Sequence, residues 1–343
     1  MIDHQLHARS RPAARLSAAD RRDLAQAWNV YPEDPAGSSA TAARCLDKAR
    51  EAGDSEIAAE ALAVQAAIAI GGGDLKTGER LVDEARTAQA SDPYLRPSTQ
   101  IATVSALLAF QTGAFARAIT EIARAIELAD RSGDLDLRIQ ARRVACAVNG
   151  NLGLRGLRRP IEEVLSLTIA AGDKAEEAIS RSDLATALWW DGELDKAEEQ
   201  VERALALIEP LLDGHRISSA AILGTRGEIR LAAGRAEEGL ADIETALERL
   251  ERHASPNPYL LAEFTCSRLA ALVELDRVDE ARDVGSEILA RLGDRVPQGR
   301  RRIMAQVAKA LRESGHAEEA YDLLIDAAEL QRLEFEELRS QLH

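Results

Sequence analysis

Aromatic side chains are scarce in this 343-residue chain: three tryptophans, four tyrosines and four phenylalanines make up 3% of it. Small residues must therefore fill its interior, which suits closely packed helices. Cysteine is equally sparse. Cys45, Cys146 and Cys266 are odd in number, widely separated and outside any CxxC spacing, which excludes a disulfide framework and a thiolate metal site. They read as reduced thiols among small apolar side chains, and a cytoplasmic location follows. Positive charge is in deficit, 43 basic against 58 acidic residues for a net charge of -15. That balance argues against wrapping nucleic acid, whose affinity comes largely from Lys and Arg neutralising phosphates. No apolar run approaches the roughly 18 residues of a membrane span, so no membrane partner is expected.

Catalytic signatures are missing as well. Gly71-Gly72-Gly73-Asp74-Leu75-Lys76-Thr77 superficially resembles a phosphate-binding loop, but Leu75 stands where glycine is needed and no strand precedes it. The six histidines form no HExxH, and neither GxSxG nor a kinase-like set occurs. The many Glu-Glu and Asp-Glu pairs belong on solvated helix faces. The reading is a non-enzyme without a cofactor or metal.

What the chain does have is a repeat. Short turns recur at Gly73, Gly113, Gly153, Gly192, Gly234, Asp276 and Gly315, at intervals of 40, 40, 39, 42, 42 and 39 residues. A second set falls midway, at Gly53, Asp92-Pro93, Gly133, Gly172, Asp213-Gly214, Ser255-Pro256 and Gly293. Each unit is thus two helices of roughly 17 residues, about 25 Å long. The chain is longer than one hydrophobic core normally serves, and no Pro/Gly/Ser-rich linker divides it. A solenoid resolves this, because each repeat buries its apolar face against its neighbours alone.

The units share a finer pattern. Five residues after the turn stand Gly78, Ala118, Ala197, Gly239, Ala281 and Ala320, and seven residues before it stand Ala66, Ala106, Cys146, Ala185, Gly227, Leu269 and Ala308. Together with phrases such as Gly192-Glu193-Leu194-Asp195-Lys196-Ala197-Glu198, this resembles the tetratricopeptide repeat (TPR) in its longer bacterial form of about 40 residues. HEAT and armadillo repeats share the period without a reason for the small residues. The resemblance implies an all-α, right-handed superhelical solenoid of seven to eight antiparallel hairpins. Four segments are expected: a disordered basic tail over 1–16, a capping hairpin over 17–55 with Trp28 in its core, the solenoid over 56–328, and a C-terminal helix extension over 329–343.

The family's first helices line a groove for a peptide or partner helix, which implies Gln100, Thr103, Gln140, Arg143, Ser182, Thr186, Trp189, Trp190, Arg226 and Glu228 as groove residues here. Adjacent Trp189 and Trp190 cannot share one buried stripe, so one of them is expected to face a ligand. The third turn is irregular. Pro160 suits only the first turn of a helix, so that helix is expected to start late, near Arg159 to Ile161. No acid occurs from Leu137 to Ile161, while Arg138, Arg142, Arg143, Arg155, Arg158 and Arg159 contribute six positive charges. They form a candidate patch for an acidic partner or anionic ligand. The alternative is a solvated face paired with nearby acids.

At the C-terminus, Leu324, Gln331 and Leu338 share one heptad position and Ala328, Phe335 and Leu342 the other, a seam suited to a homodimeric coiled coil. A capping helix on the last repeat is the alternative. The layout is similar to the N-terminal TPR region of actinobacterial GGDEF diguanylate cyclases, although no GGDEF motif occurs in the chain. The expected function is a protein-, peptide- or ligand-binding sensor module that controls a fused or partner output domain. A stand-alone scaffold, or the peptide or small-anion receptor of a transcriptional regulator, remains open beside it.

Overall fold

The computed structural model describes residues 17–89, 94–151, 158–254, 256–292 and 297–341. Among them lie sixteen α-helices, paired in chain order into eight antiparallel hairpins. Hairpin one is α1 (Ala18–Val30) with α2 (Pro35–Ala52), and hairpin two α3 (Ser55–Gly71) with α4 (Leu75–Ala88). Hairpin three is α5 (Leu95–Gln111) with α6 (Phe115–Ser132), and hairpin four α7 (Leu135–Asn151) with α8 (Arg158–Ala171). Hairpin five is α9 (Lys174–Trp190) with α10 (Leu194–Ile208), and hairpin six α11 (Arg216–Ala232) with α12 (Ala236–Glu251). Hairpin seven is α13 (Pro258–Glu274) with α14 (Val278–Leu292), and hairpin eight α15 (Pro297–Glu313) with α16 (Ala317–Gln341).

One turn design closes most hairpins. A left-handed residue ends the first helix, and the next N–H donates to the carbonyl five residues back, as in Asp74 to Ala69 (2.9 Å) and Glu193 to Leu188 (2.8 Å). Glycine supplies the left-handed position except in hairpin seven, where Asp276 adopts φ 59° and Arg277 still donates to Leu272 at 2.8 Å. Asp54, Asp74 and Asp173 then cap the following helices through their carboxylates.

The small residues of the repeat pattern lie where helices approach. Ala66, Ala106, Ala118, Ala185 and Ala197 are completely buried, and so are Ala85, Ala204 and Ala246, seven residues beyond the small residue that follows each turn. From hairpin two onward, successive odd-numbered helices pack directly on one another, whereas successive even-numbered ones meet marginally at most. The array therefore curves with the odd helices inside, and the inner face is theirs.

Trp28 is 2% exposed in the first hairpin. Arg21 of α1 ties that hairpin to Asp54 and Glu56 at the start of α3. In hairpin four, α8 spans Arg158–Ala171, and Pro160 sits in its first turn as expected, where no N–H is required. The preceding connection, 152–157, lies outside the described residues. All three cysteines are buried and free. No described helix is long and apolar enough to cross a membrane, and no described cluster of His, Cys, Asp and Glu could hold a metal ion.

Candidate functional site

The inner face differs along its length. At hairpins two and three it is sealed: Gln100 is completely buried and donates to Glu60 on α3 at 3.4 Å, while Arg96 Nε donates to the same carboxylate at 2.7 Å. Thr103 is buried too, its hydroxyl spent on the Thr99 carbonyl at 2.8 Å. Neither residue meets a groove. Glu60 has its pKa pushed up by burial, against the opposing pull of Arg96.

From hairpin four onward Arg143, Asp183 and Glu228 stand half-buried on the inner helices. Arg143 of α7 pairs with Glu176 of α9 and lies near Asp183, also on α9. Burial raises the Asp183 pKa to about 6 although Arg143 pulls the other way. Burial likewise lowers the Arg143 pKa, with Asp183 and Tyr31 opposing it. Seven residues beyond Asp183, on the same stripe of α9, Trp190 is 47% exposed, while its neighbour Trp189 packs on the core. Thr186 is half-buried between them in sequence and donates to the Ser182 carbonyl at 3.2 Å; Ser182 itself is buried.

Farther along, Glu228 of α11 accepts from the Ser267 hydroxyl of α13 at 2.5 Å. Its pKa is raised by burial first and by the neighbouring Glu263 second, with Ser267 and Arg302 opposing. Glu263 is pushed up by burial in the same way. Arg226 turns to the other layer, contrary to the expectation that it lines the groove. Its Nε and Nη2 grip Asp242 of α12 at 2.8 and 2.7 Å, and Nη1 reaches Glu202 of α10 at 3.0 Å. On a helix, residues 226 and 228 point about 200° apart, so only one can face inward.

The run of arginines is no free patch. Acids absent from its own stretch arrive from adjacent segments: Asp130 pairs with Arg138 (3.2 Å) and Arg142 (3.0 Å), and Glu162 and Glu193 with Arg158 (2.9 and 2.8 Å). Arg159 is exposed. Arg155 lies outside the described residues. On α16, Ala320 and Leu323 pack toward the core while Leu324, Ile325 and Tyr321 are 49, 45 and 66% exposed and Gln331 is exposed. The helix thus docks as a capping helix does, with the first part of the heptad seam facing out. The side chains of Phe335, Leu338 and Leu342 lie outside the described residues.

Residues that the repeat pattern did not mark complete the face. The turn between α1 and α2 reaches across to hairpins four and six. Asn29 donates to Asp136 (3.3 Å) and accepts from Gln140 (2.9 Å), both on α7. The Glu33 carboxylate accepts from the backbone N–H groups of Ile217 (2.8 Å) and Ser218 (2.7 Å), and from the Ser218 hydroxyl (2.6 Å). The Glu33 carbonyl lies 2.7 Å from His253 Nε2, which must carry the proton in that bond. Nothing local marks these partners, which are 107 to 220 residues apart in sequence. The one available signal was Tyr31-Pro32 between two helices of an aromatic-poor chain.

A tetratricopeptide repeat family model matches residues 176–252, hairpins five and six. Those residues are tetratricopeptide repeats. The TPR likeness extends over the whole solenoid in solved structures. NprR in complex with its cognate peptide NprX superposes with a TM-score of 0.65 at 12% identity, over 92% of this chain and 91% of that one. A Rap protein complexed with competence and sporulation factor gives 0.67 at 10% identity, over 94% and 89%. The STAND signal-transduction ATPase of Pyrococcus horikoshii, which carries a TPR sensor, gives 0.57 at 12% identity, over 94% of this chain and 48% of that one. At such identities the likeness is one of fold. No curated protein matches this chain by sequence.

Proposed function

We propose that this chain is a regulatory binding module that takes a peptide, or an extended segment of a protein partner, along the inner face of hairpins four to eight. The observation that carries the reading is Trp190, one of only three tryptophans, held 47% exposed on the same stripe as Asp183. Exposed aromatic anchors beside charged groups are what partner recognition uses and what a solvated helix has no need of. Two of the similar structures are complexes, with a cognate peptide and with competence and sporulation factor, which supports the reading by analogy of fold. The module works by binding and not by catalysis, inside the cell, where its three free thiols stay reduced. Its output leaves through α16, whose outer apolar side chains are available to a following or partner domain, of which a diguanylate cyclase is one type.

The test is binding of the full chain to a synthetic peptide array, followed by titration of the best binders. Trp190→Ala and Arg143→Glu should each weaken binding at least tenfold. Affinity unchanged by both substitutions would move the site elsewhere. An array without binders would end the peptide reading and favour a scaffold that joins folded proteins, for which the docked α16 is the supporting observation.

A further inference from the structure

The stretch from Asn29 to Asp34, at the junction of α1 and α2, bonds well beyond its own hairpin. Six of its bonds go to segments of hairpins four and six: two join Asn29 to Gln140 and Asp136, three join the Glu33 carboxylate to the start of α11, and one joins the Glu33 carbonyl to His253. Tyr31, half-buried between these anchors, sits with its ring 6.0 Å from that of Trp28 and near Arg143. Asn-Val-Tyr-Pro-Glu-Asp is therefore the end of α1 and the tight turn after it, in which the Glu33 and Asp34 N–H groups donate to the Val30 carbonyl, lying across the inner helices and held at one end by side-chain amides and at the other by a carboxylate on a helix N-terminus.

That second anchor is chemically specific. The first N–H groups of a helix have no partners within it and carry its positive dipole end, so they favour an anion. Here they have one, together with a serine hydroxyl, and the anion comes from 184 residues away in sequence. A cap for α11 could have been supplied locally by an Asp at position 215, as Asp54, Asp74 and Asp173 do elsewhere; His215 stands there and makes no side-chain cap. The local sequence leaves this terminus to be filled from afar.

We propose that residues 29–34 are an internal occupant of the inner face, and that the partner of this module is an acidic peptide whose carboxylate replaces Glu33 on Ile217 and Ser218. The proposal rests on the peptide-binding reading above and adds the partner's chemistry and the way in which the free protein is kept closed. Release of the turn exposes Gln140, Arg143, Ser218 and His253 together. Closure also suppresses weak partners, because a tethered segment competes at a high effective concentration.

The experiment compares full-length wild type with Glu33→Ala by hydrogen exchange and by titration with the acetylated, amidated hexapeptide Asn-Val-Tyr-Pro-Glu-Asp. In the wild type the first turn of α11 should be protected; in E33A that protection should fall at least tenfold while α3 to α6 keep theirs. E33A should bind the hexapeptide at least tenfold more tightly than wild type, and a peptide with Gln in place of Glu should lose that gain. Asn29→Ala, which leaves the receiving site untouched, should give a smaller gain and serves if E33A is poorly folded by circular dichroism. Rapid exchange at 217–218 in the wild type, or equal hexapeptide affinity for wild type and both variants, overturns the proposal. Array peptides that bind wild type and E33A alike leave the groove reading intact and remove the internal occupant alone.

Discussion

Gly227 of α11 and Gly239 of α12 face each other so closely that a Cβ on either would lie 2.8 Å from the other's carbonyl oxygen. Two helices can approach to this distance only where both lack side chains. The first expectation follows directly. Gly227→Ala and Gly239→Ala should each cost about 1–3 kcal/mol in chemical denaturation, since the obstructing atom is backbone and cannot swing away. Gly71→Ala, in a helix with nothing within 4 Å of the added carbon, should instead stabilise by about 0.5–1 kcal/mol.

Asp242 holds two arginines at once, Arg226 through two bonds and Arg230 Nη1 at 2.7 Å, with only 9% of its side chain exposed. Asp242→Ala strands both guanidinium groups at the boundary of the two layers. Removal of one partner from such a buried group typically costs about 3–5 kcal/mol, and urea denaturation should show a loss of that order. A loss below 1 kcal/mol would mean that Glu202 and Glu198 already satisfy both arginines.

Stability should depend on pH through Asp183. Its folded pKa of about 6 lies above its usual 3.8, so between those values the folded form binds more protons than the unfolded one. Its contribution is fully favourable below about pH 4 and is lost as pH rises through 6. Asp183→Asn should therefore raise the melting temperature at pH 7.5 and change it little at pH 4. An equal effect at both values would show that the substitution acts through packing.

The thiols offer a direct check on burial. Cys146 and Cys266 are pushed up to about 12, mainly by burial, and Cys45 is raised for the same reason. A disulfide exchange reagent at pH 8 should label the native protein at least a hundredfold more slowly than the denatured one, because thiolate is the reacting form. Prompt labelling of any one cysteine would mark a locally open hairpin.

The fold was legible because its determinants are local and repeated. Gly73, Gly113, Gly192, Gly234 and Gly315 all adopt the left-handed conformation that the turn spacing required, and the small residues around them are buried where helices meet. Even the exception was readable by position: Asp276 falls where glycine was due. The inner face was less legible. A period of 40 residues says which helix lies inside but not which stripe of it, so Arg226 and Glu228, two residues apart, were assigned to one face although they belong to opposite ones. The arginine-rich stretch could be read either way in sequence, because its compensating acids, Asp130, Glu162 and Glu193, lie outside it. Asn29 and Glu33 lay beyond any local signal, since their partners are in other hairpins.

The bond from Glu33 to Ser218 also changes what kind of object the array is. Repeat arrays gain stability from nearest neighbours and unravel from their ends. A tie between hairpins one and six, 185 residues apart, removes one of those ends. The first hairpin cannot fray without first breaking its bonds to the start of α11, whereas hairpins seven and eight keep the freedom of a terminus.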